Sequence, residues 1–299
     1  MPRRIVLLVL VSTLLTGLLL AFLASRTPAP YGPDAPPDRF SAGRAMDDIR
    51  AIARAPHPTG SAENRRVRDY LVARLRAMGL EVRTSDSIGI VQPTFHERYG
   101  RTRPLSNIIA VLPGRDRALP AITLMSHYDA RDQSPGAADD AAGVAASLEI
   151  ARAVQASGPA RRDLVILITD GEELGLSGAF NFFPHDFPER RGAPPDPLSR
   201  RLGAVLNMEA RGGGGRAFMF ETSPNNAGWV RLYGREAQRP SSTSLAVYVY
   251  SIMRNATDFS VSNYGAKIPG LNWAFIGRPA QYHQPSSTPE NLDQGSVQH

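Results

Sequence analysis

Two adjacent carboxylates, Glu172 and Glu173, follow an apolar run in the stretch LVILITDGEELGLSGA. An acidic pair in a loop is usually solvated, so this pair indicates no chemistry by itself. Further residues of ligand type adjoin other apolar runs, and they are His127 and Asp129 after AITLMS, Asp139 and Asp140 before an Ala-rich segment, Glu209 after AVLNM, and His283 after LNWAFIG. If they meet, their imidazoles and carboxylates form a donor set that suits zinc, or less selectively cobalt or manganese.

A pair of such ions would need a shared carboxylate, because two dications roughly 3.5–4 Å apart repel unless an anion bridges them. Asp139 lies between two ligand-bearing segments and is the expected bridge. His127 and Asp129 project to the same side of a strand, so we expect Asp129 to orient the imidazole rather than bind metal. Of Glu172 and Glu173, one can bind an ion while the other takes a proton from the attacking water and returns it to a leaving amine.

The elements that must bring these residues together are strands that alternate with helices. Apolar residues recur at helix spacing up to Met78, before Gly79, and a second helical pattern follows Asp140. Strand-like runs occupy residues 80–84, 106–114, 121–126, 163–169, 201–209 and 271–277. This alternation predicts an α/β fold, a three-layer α/β/α sandwich with a mostly parallel central sheet. Ligands bind at the carboxyl ends of strands in such sheets, so one shared site is expected there.

The N-terminus predicts a membrane anchor. An uninterrupted apolar run covers residues 5–24, about the length that crosses a bilayer, and Arg3 and Arg4 precede it. Flanking arginines favour a cytoplasmic N-terminus, which places the rest on the periplasmic, extracellular or lumenal side. A cleaved signal peptide is the alternative, although its apolar region is normally shorter. We therefore expect an anchor over residues 1–26, an extended Pro-rich linker over 27–40 and one catalytic domain over 41–299.

The charge of the chain does not predict a nucleic-acid partner. The formal net charge is +6, but the basic residues are scattered arginines with Lys267 as the only lysine, and no recognition motif accompanies them. Cysteine is absent, which excludes disulfides and thiolate metal sites. No feature of the sequence indicates an oligomeric state.

Five motifs occur in order along the chain, and they are HYDA, SPGAADDAAGVA, DGEELGLSGA, NMEARGGGG and QYHQPSSTPENLD. Together they resemble the di-zinc aminopeptidase family, the co-catalytic zinc exopeptidases with an aminopeptidase-like α/β fold. The stretches HPTGSAENRRVRDYL and TDFSVSNYGAKIPGLNWAFIG are most similar to its membrane-anchored branch, which includes endoplasmic reticulum metallopeptidase and vacuolar membrane protease relatives. The resemblance runs from about residue 42 to the last residue, and five motifs together are far more specific than any one alone.

The resemblance implies a role for each matching residue. Two Zn²⁺ ions would be bound per chain, one by His127, Asp139 and Glu209 and the other by Asp139, Glu173 and His283. Glu172 would be the general base and acid, and Asp129 would support His127. The family often joins the residues that match Asp139 and Asp140 by a cis peptide bond. Many members carry aspartate where this chain has Glu209, which remains a competent oxygen ligand with a longer reach.

Structural roles are the alternative for each residue taken singly. His127 would then be a core histidine, Asp139 a helix N-cap and Glu209 a solvated loop residue. The complete set is not explained in that way, which favours the metal site.

Several other residues carry weaker expectations. Three further histidines, His57, His96 and His185, are expected at the surface or behind the site. Asp258 is expected to support the site or the substrate. The glycines of RGGGGR are expected to let the backbone pass close to the site.

Residues and resemblance together predict a zinc-dependent aminopeptidase that hydrolyses N-terminal residues of peptide substrates. A carboxypeptidase and a glutaminyl cyclase, which uses a single zinc, are alternatives on the same fold. A non-catalytic receptor-like domain is the alternative from another class, but such domains usually lose ligands. The final stretch ENLDQGSVQH begins a helix without completing it, so we expect the native chain to continue, with further membrane spans possible.

Overall fold

The computed structural model describes residues 2–91, 101–253 and 255–299. Within this part of the chain the strands are β1 (Glu81–Val91), β2 (Arg101–Leu112), β3 (Ala121–His127), β4 (Leu164–Thr169), β5 (Leu202–Ala210), β6 (Phe218–Thr222) and β7 (Gly270–Phe275). They form one sheet in the order β1-β2-β4-β3-β5-β7-β6. The four central strands, β4, β3, β5 and β7, run parallel, while β1, β2 and β6 pair antiparallel with their neighbours. The predicted fold class is confirmed.

Helices cover both faces of the sheet. The described helices are α1 (Arg3–Ser25), α2 (Ala42–Ile52), α3 (Ala62–Ala77), α4 (Ala141–Ala156), α5 (Ser177–Phe182), α6 (Ala227–Glu236), α7 (Ser244–Ile252), α8 (Asp258–Ser260) and α9 (Gln294–Gln298). Shorter 3₁₀ turns occupy Pro188–Arg190, Pro197–Arg201 and Pro279–Gln281, and a π-helical turn occupies Val261–Gly265. The sequence analysis did not predict β6 or α7.

Local sequence explains where the helices begin. The hydroxyls of Ser41 and Ser61 accept hydrogen bonds from the third amide of α2 and α3, and Asp140 caps α4 in the same way. Such caps satisfy amides that have no partner within the helix. The cap of α4 also fixes the position of the acidic residues that precede it.

Two apolar cores lie on the two faces of the sheet. One joins α2, α3 and α4 to β3 and β4, and the other joins α5 and α8 to β4 and β5. Every residue of β4 is buried, because this strand lies centrally with both of its faces covered. These cores hold the carboxyl ends of β3, β4, β5 and β7 side by side.

The N-terminal segments have two different environments. Helix α1 is long and apolar enough to span a membrane, and none of its residues is buried against the domain. It fits a signal anchor. Residues 27–40, predicted as an extended linker, lie along the domain, where Arg44 and Arg152 donate hydrogen bonds to backbone carbonyls of Pro33, Ala35 and Pro37. A Pro-rich segment has few backbone partners of its own, so its carbonyls are open to these guanidiniums.

Candidate metal centre

The ligand-type residues predicted from the sequence meet at the carboxyl edge of the parallel strands. Two groups have donor atoms within 4.8 Å of one another, and they are His127, Asp139 and Glu209 in one and Asp139, Glu173 and His283 in the other. Strands β3 and β5 carry His127 and Glu209, and the loops after β4 and β7 carry Glu173 and His283. The structure thus brings together all five predicted ligands, with Asp139 common to both groups.

Asp139 faces both groups with different oxygens. Its Oδ1 lies 3.2 Å from Nε2 of His127, and its Oδ2 lies 3.0 Å from Nε2 of His283. A carboxylate with one oxygen facing each of two histidines has the geometry of a bridging ligand. The peptide between Asp139 and Asp140 is cis, as the resemblance implied. Asp140 turns away and accepts hydrogen bonds from the amides of Gly143 (3.1 Å) and His127 (3.2 Å).

The remaining contacts complete each group. Oε2 of Glu209 lies 3.8 Å from Nε2 of His127. In the second group Oε1 of Glu173 lies 2.9 Å from Nε2 of His283. The other oxygen of Glu173 is 2.7 Å from Nε of Arg131, a half-exposed side chain. Every histidine in these groups therefore points its Nε2 atom at carboxylate oxygens.

Asp129 is fully buried and holds both the histidine and the acidic loop. The Nδ1 N–H of His127 donates to the Asp129 backbone carbonyl (3.0 Å), and the Asp129 carboxylate lies 3.4 Å away. This contact fixes the tautomer that leaves Nε2 free as a ligand. The carboxylate accepts the amide N–H of Glu172 at Oδ1 (3.1 Å) and that of Glu173 at Oδ2 (3.2 Å). Asp129 thus does more than the predicted orientation of the imidazole.

Glu172 stands among other acidic groups without being part of either group of three. Burial raises the pKa of its carboxyl well above the usual value, and the charges of Glu209, Asp258 and Glu173 raise it further, against the opposing effect of His127. A glutamate with a raised pKa holds a proton more tightly than a solvated one. That is the property required of a group that must take up a proton and then deliver it near neutral pH.

The raised pKa values of the two histidines indicate that the electrostatic field of the site is negative. Burial alone would lower the pKa of His127, but hydrogen bonds with Asp129 and Asp139 raise it well above its usual value. The pKa of His283 rises to about 9, because Asp139 and Glu173 outweigh its burial. The same histidines hold the pKa of Asp139 down at about 2 despite its burial. A field that stabilises positive charge on imidazoles also attracts a metal cation.

A second carboxylate, Asp170, ties the start of α3 to the site. Its oxygens accept hydrogen bonds from Thr59 (3.1 Å), Asn64 (3.2 Å) and the Tyr128 hydroxyl (3.0 Å). Thr59 also donates to Asp129 (3.2 Å). Burial and the Asp129 charge raise the pKa of Asp170 to about 7. This contact explains why the segment HPTG is close to the site although it is distant in sequence.

A row of polar side chains crosses three strands behind Glu209. Asn207 donates to Glu209 (3.2 Å) and to Asn272 (3.0 Å), and Asn272 donates to Glu221 (3.0 Å). Asn207 faces Asn272 in the β5–β7 register, and Asn272 faces Glu221 in the β7–β6 register. The sequence analysis predicted a role for none of these three residues, although one signal was available. Asn207 precedes Glu209 by two residues and therefore points to the same side of β5.

The residues present fit a pair of metal ions. Several carboxylates share one largely buried region, which is unfavourable unless positive charge compensates them. The donors are imidazole nitrogens and carboxylate oxygens, a set that zinc accepts. Oε1 of Glu173 is buried and lacks a hydrogen-bond donor among the described residues, although it faces His283. Such an oxygen is well suited to a cation.

The weaker expectations have mixed outcomes. His57 and His185 are buried at 1% and 5% exposure, so neither lies at the surface, and His96 lies outside the described residues. His57 lies behind the site, as the other alternative predicted, because its carbonyl accepts the amide of Ala130, next to Asp129. Asp258 is buried beside the site, where it accepts a hydrogen bond from Thr169. A Cβ at Gly212 would lie 2.1 Å from the Gly277 carbonyl, so the glycine run does permit close approach to the loop that carries His283.

Comparison with known proteins gives the same family as the motifs. The family model of Peptidase family M28 matches residues 107–299. Endoplasmic reticulum metallopeptidase 1 of Mus musculus is 30% identical over 276 residues, which is 87% of this chain and 29% of that protein. The chain therefore spans less than a third of the length of that relative.

Solved structures agree on the fold. The zinc aminopeptidase of Bacillus subtilis has a TM-score of 0.64 at 15% identity, over 87% of this chain and 92% of that one. The glutaminyl cyclase of Tannerella forsythia has a TM-score of 0.63 at 19% identity, over 87% of this chain and 95% of that one. At such identities the likeness establishes a shared fold, not a shared reaction.

Proposed function

Because the chain belongs to Peptidase family M28, a family whose solved neighbours imply zinc dependence, we propose that it is a membrane-anchored aminopeptidase with two zinc ions per chain. Residues 1–26 form the anchor, 27–40 lead from it, and 41–299 form the catalytic domain on the non-cytoplasmic side. The observation that carries this proposal is the shared carboxylate of Asp139, with one oxygen toward each histidine.

In this proposal the five ligands divide as the geometry groups them. His127, Asp139 and Glu209 hold one ion, and Asp139, Glu173 and His283 hold the other. When bound, zinc supplies Lewis acidity and makes water ionise near neutral pH. Glu209 is held by Asn207, so its longer side chain has a defined position despite replacing the more common aspartate.

Glu172 moves the proton. Its carboxylate accepts a proton from the attacking water and donates it to the nitrogen of the leaving amine, so its protonation state is the same before and after turnover. Asp129 positions this group by accepting the Glu172 amide, and it holds the His127 ring in the tautomer that binds metal. Proton transfer by a positioned side chain contributes about 10²–10⁴-fold to a rate.

The charge of the site favours an N-terminal amine over a C-terminal carboxylate. Glu172 and Asp258 add acidic groups beside the ligand set, and the guanidinium of Arg131 is already paired with Glu173. Two Zn²⁺ ions would supply four positive charges, and the carboxylates around them exceed that number: Asp129, Asp139, Glu172, Glu173, Glu209 and Asp258. The remaining negative charge attracts a substrate ammonium and repels a terminal carboxylate. This supports an aminopeptidase over the carboxypeptidase alternative.

The test compares Glu172→Gln with Glu149→Gln in the full chain. Glu149 is another buried glutamate, on α4, where it binds Arg44 and Arg152 away from the site. We expect Glu172→Gln to keep about two zinc ions per chain while its kcat on aminoacyl anilides falls about 10²–10⁴-fold. Glu149→Gln should retain the wild-type rate, and N-acetylated substrates should not be cleaved.

Two results would contradict the proposal. Full hydrolysis by protein stripped of metal with a chelator would exclude the metal-dependent mechanism. A count of one zinc per chain, with cyclisation of an N-terminal glutamine that releases ammonia and leaves the peptide intact, would instead favour the glutaminyl cyclase alternative.

A further inference from the structure

Helix α7 exposes an apolar face. Leu245, Tyr248 and Ile252 are 70%, 63% and 65% exposed, and Val249 between them is 43% exposed. The spacing of these residues places them on one side of the helix, and no charged residue occurs in α7. We call this surface, formed by Leu245, Tyr248, Val249 and Ile252, the apolar face of α7.

The opposite side of α7 packs on the domain, so the helix is held in place. The ring of Tyr250 contacts Phe220 of β6 with centroids 4.6 Å apart. At the start of the helix, the Thr243 hydroxyl accepts the amide of Ala246 (3.1 Å), and Ser242 donates to the Met219 carbonyl (2.8 Å). The apolar face is therefore presented outward on a fixed support.

Arg216 connects the end of α1 to the segment that leads into α7. Its Nη1 donates to the carbonyl of Ala24 (3.0 Å), at the end of α1. Its Nη2 donates to the carbonyls of Arg239 (3.0 Å) and Pro240 (3.3 Å). From Pro240 the chain reaches the first residue of α7 within four residues, a span of at most about 14 Å.

The length of α1 fixes the level of this junction in a membrane. Its 23 residues rise about 34 Å, slightly more than the roughly 30 Å hydrocarbon core of a bilayer. Ala24 therefore lies at the interface between hydrocarbon and headgroups. Arg216 must therefore lie at or just outside that interface, and the start of α7 lies within about 14 Å of the Pro240 carbonyl that Arg216 binds.

We propose that the apolar face of α7 lies in the headgroup region of the membrane that α1 spans, as a second contact between the domain and the bilayer. The proposal rests on the anchoring by α1 proposed above. Leucine, isoleucine and tyrosine suit this location, because tyrosine has an apolar ring and a polar end.

The surroundings of α7 fit an anionic lipid surface. Arg26 and Arg239 are exposed on either side of the junction made by Arg216. Arginines at this level are attracted by anionic headgroups. Two contacts, α1 and α7, would fix the tilt of the domain and so keep the metal centre at a constant height above the bilayer.

The absence of cysteine permits a direct test on the full chain. Single cysteines at Tyr248, Leu245 or Ile252 would each carry a polarity-sensitive fluorophore in nanodiscs of phosphatidylcholine and phosphatidylglycerol. Lipids with a spin label near the headgroup quench only fluorophores at that depth. We expect quenching at these positions several times larger than at Ala73→Cys, an exposed position on α3, which packs near the β1 edge of the sheet.

Two further variants separate the possible outcomes. Leu14→Cys, in the middle of α1, reports whether the anchor is embedded in the bilayer. If lipids labelled deep in the acyl chain do not quench a fluorophore at this position, the proposed anchor is refuted. Quenching at Leu14 by the deep label, with no quenching at Tyr248 by the headgroup label, would refute the α7 contact but not the anchor. Protection of Tyr248 from aqueous iodide without lipid quenching would show that a protein surface covers α7, and would also overturn the proposal. Adding Leu245→Glu and Ile252→Glu to Tyr248→Cys should abolish its quenching.

Discussion

Replacement of Asp129 by asparagine tests the claim that one carboxylate holds both the acidic loop and the His127 ring. The two oxygens of Asp129 accept the amides of Glu172 and Glu173 separately. Asparagine offers one acceptor oxygen, and its amino group can only donate. One of the two amide N–H groups must therefore lose its acceptor, while the volume of the side chain is unchanged.

The size of the effect on stability follows from burial. Asp129 is 0% exposed and its hydrogen bonds to the amides of Glu172 and Glu173 are partly buried, so water compensates only incompletely for the lost acceptor. A buried donor without a partner costs about 1–3 kcal/mol. For a domain of this size, that corresponds to a fall of about 2–12 °C in Tm.

A larger effect is expected on activity. Loss of the contact at Glu172 loosens the residue that we propose moves the proton, and loss of negative charge near Nδ1 weakens the preference of His127 for the tautomer with Nε2 free. Changes to residues that orient metal ligands typically cost about 10–100-fold in metal affinity or activity. We expect kcat/KM of Asp129→Asn to fall by this factor at saturating zinc.

Asp163→Asn is the matched control for a general loss of stability. Asp163 is also buried and accepts a backbone amide, that of Gly114, at 2.9 Å. It precedes the first residue of β4 and so lies at the opposite edge of the sheet, about 20 Å from the site. Urea unfolding and initial rates of both variants give the comparison. Wild-type kcat/KM in Asp129→Asn, or an equal loss of activity in Asp163→Asn, would refute the reasoning.

Two further outcomes are expected. Burial raises the pKa of Glu221 from 4.5 to about 7, so the folded protein retains a proton that the unfolded chain releases, and stability should fall as pH rises through this range. Glu221→Gln should not lose stability over this pH range, and urea unfolding at pH 8 should show it to be more stable than the wild type by about 3 kcal/mol. Identical profiles of stability against pH for the two proteins would contradict this. Zinc added to metal-free protein at about 100 times its Kd should stabilise the fold by about 2.7 kcal/mol for the first ion bound, seen as a rise in Tm that magnesium does not produce. An unchanged Tm would argue against a zinc site built from folded elements.

The central fold was predictable because its signals are local. A buried strand such as LVILIT has one composition whatever surrounds it, and the four central strands were all found from such runs. β6 was missed because it is short, at five residues, and lies at the edge of the sheet. Helix α7 was missed because SLAVYVYSI is rich in residues that favour strands, and the cap at Thr243 together with packing on β6 decides its conformation.

The convergence of the candidate ligands was predictable for a related reason. Parallel strands place their carboxyl ends at one edge, so a polar residue at a strand end can be assigned to that edge without knowing the order of the strands. This rule predicted that His127 and Glu209 lie close together, and the motifs supplied the proposed division of roles between Glu172 and Glu173. The hydrogen bonds of Asp129 to the following acidic loop required the structure, since they join residues 43 and 44 positions apart.

The row from Glu209 to Glu221 shows where sequence reasoning ends. Asn207, Asn272 and Glu221 meet only because β5, β7 and β6 pair in one particular register. A shift of one residue in β7 would turn Asn272 to the other face, so Asn207 would keep only its contact with Glu209 and Glu221 would lose its donor. Register is set by the packing of whole strands, so no short motif encodes it. The support of Glu209 is consequently a property of the assembled sheet, and the pH dependence expected for Glu221 is a direct test of that assembly.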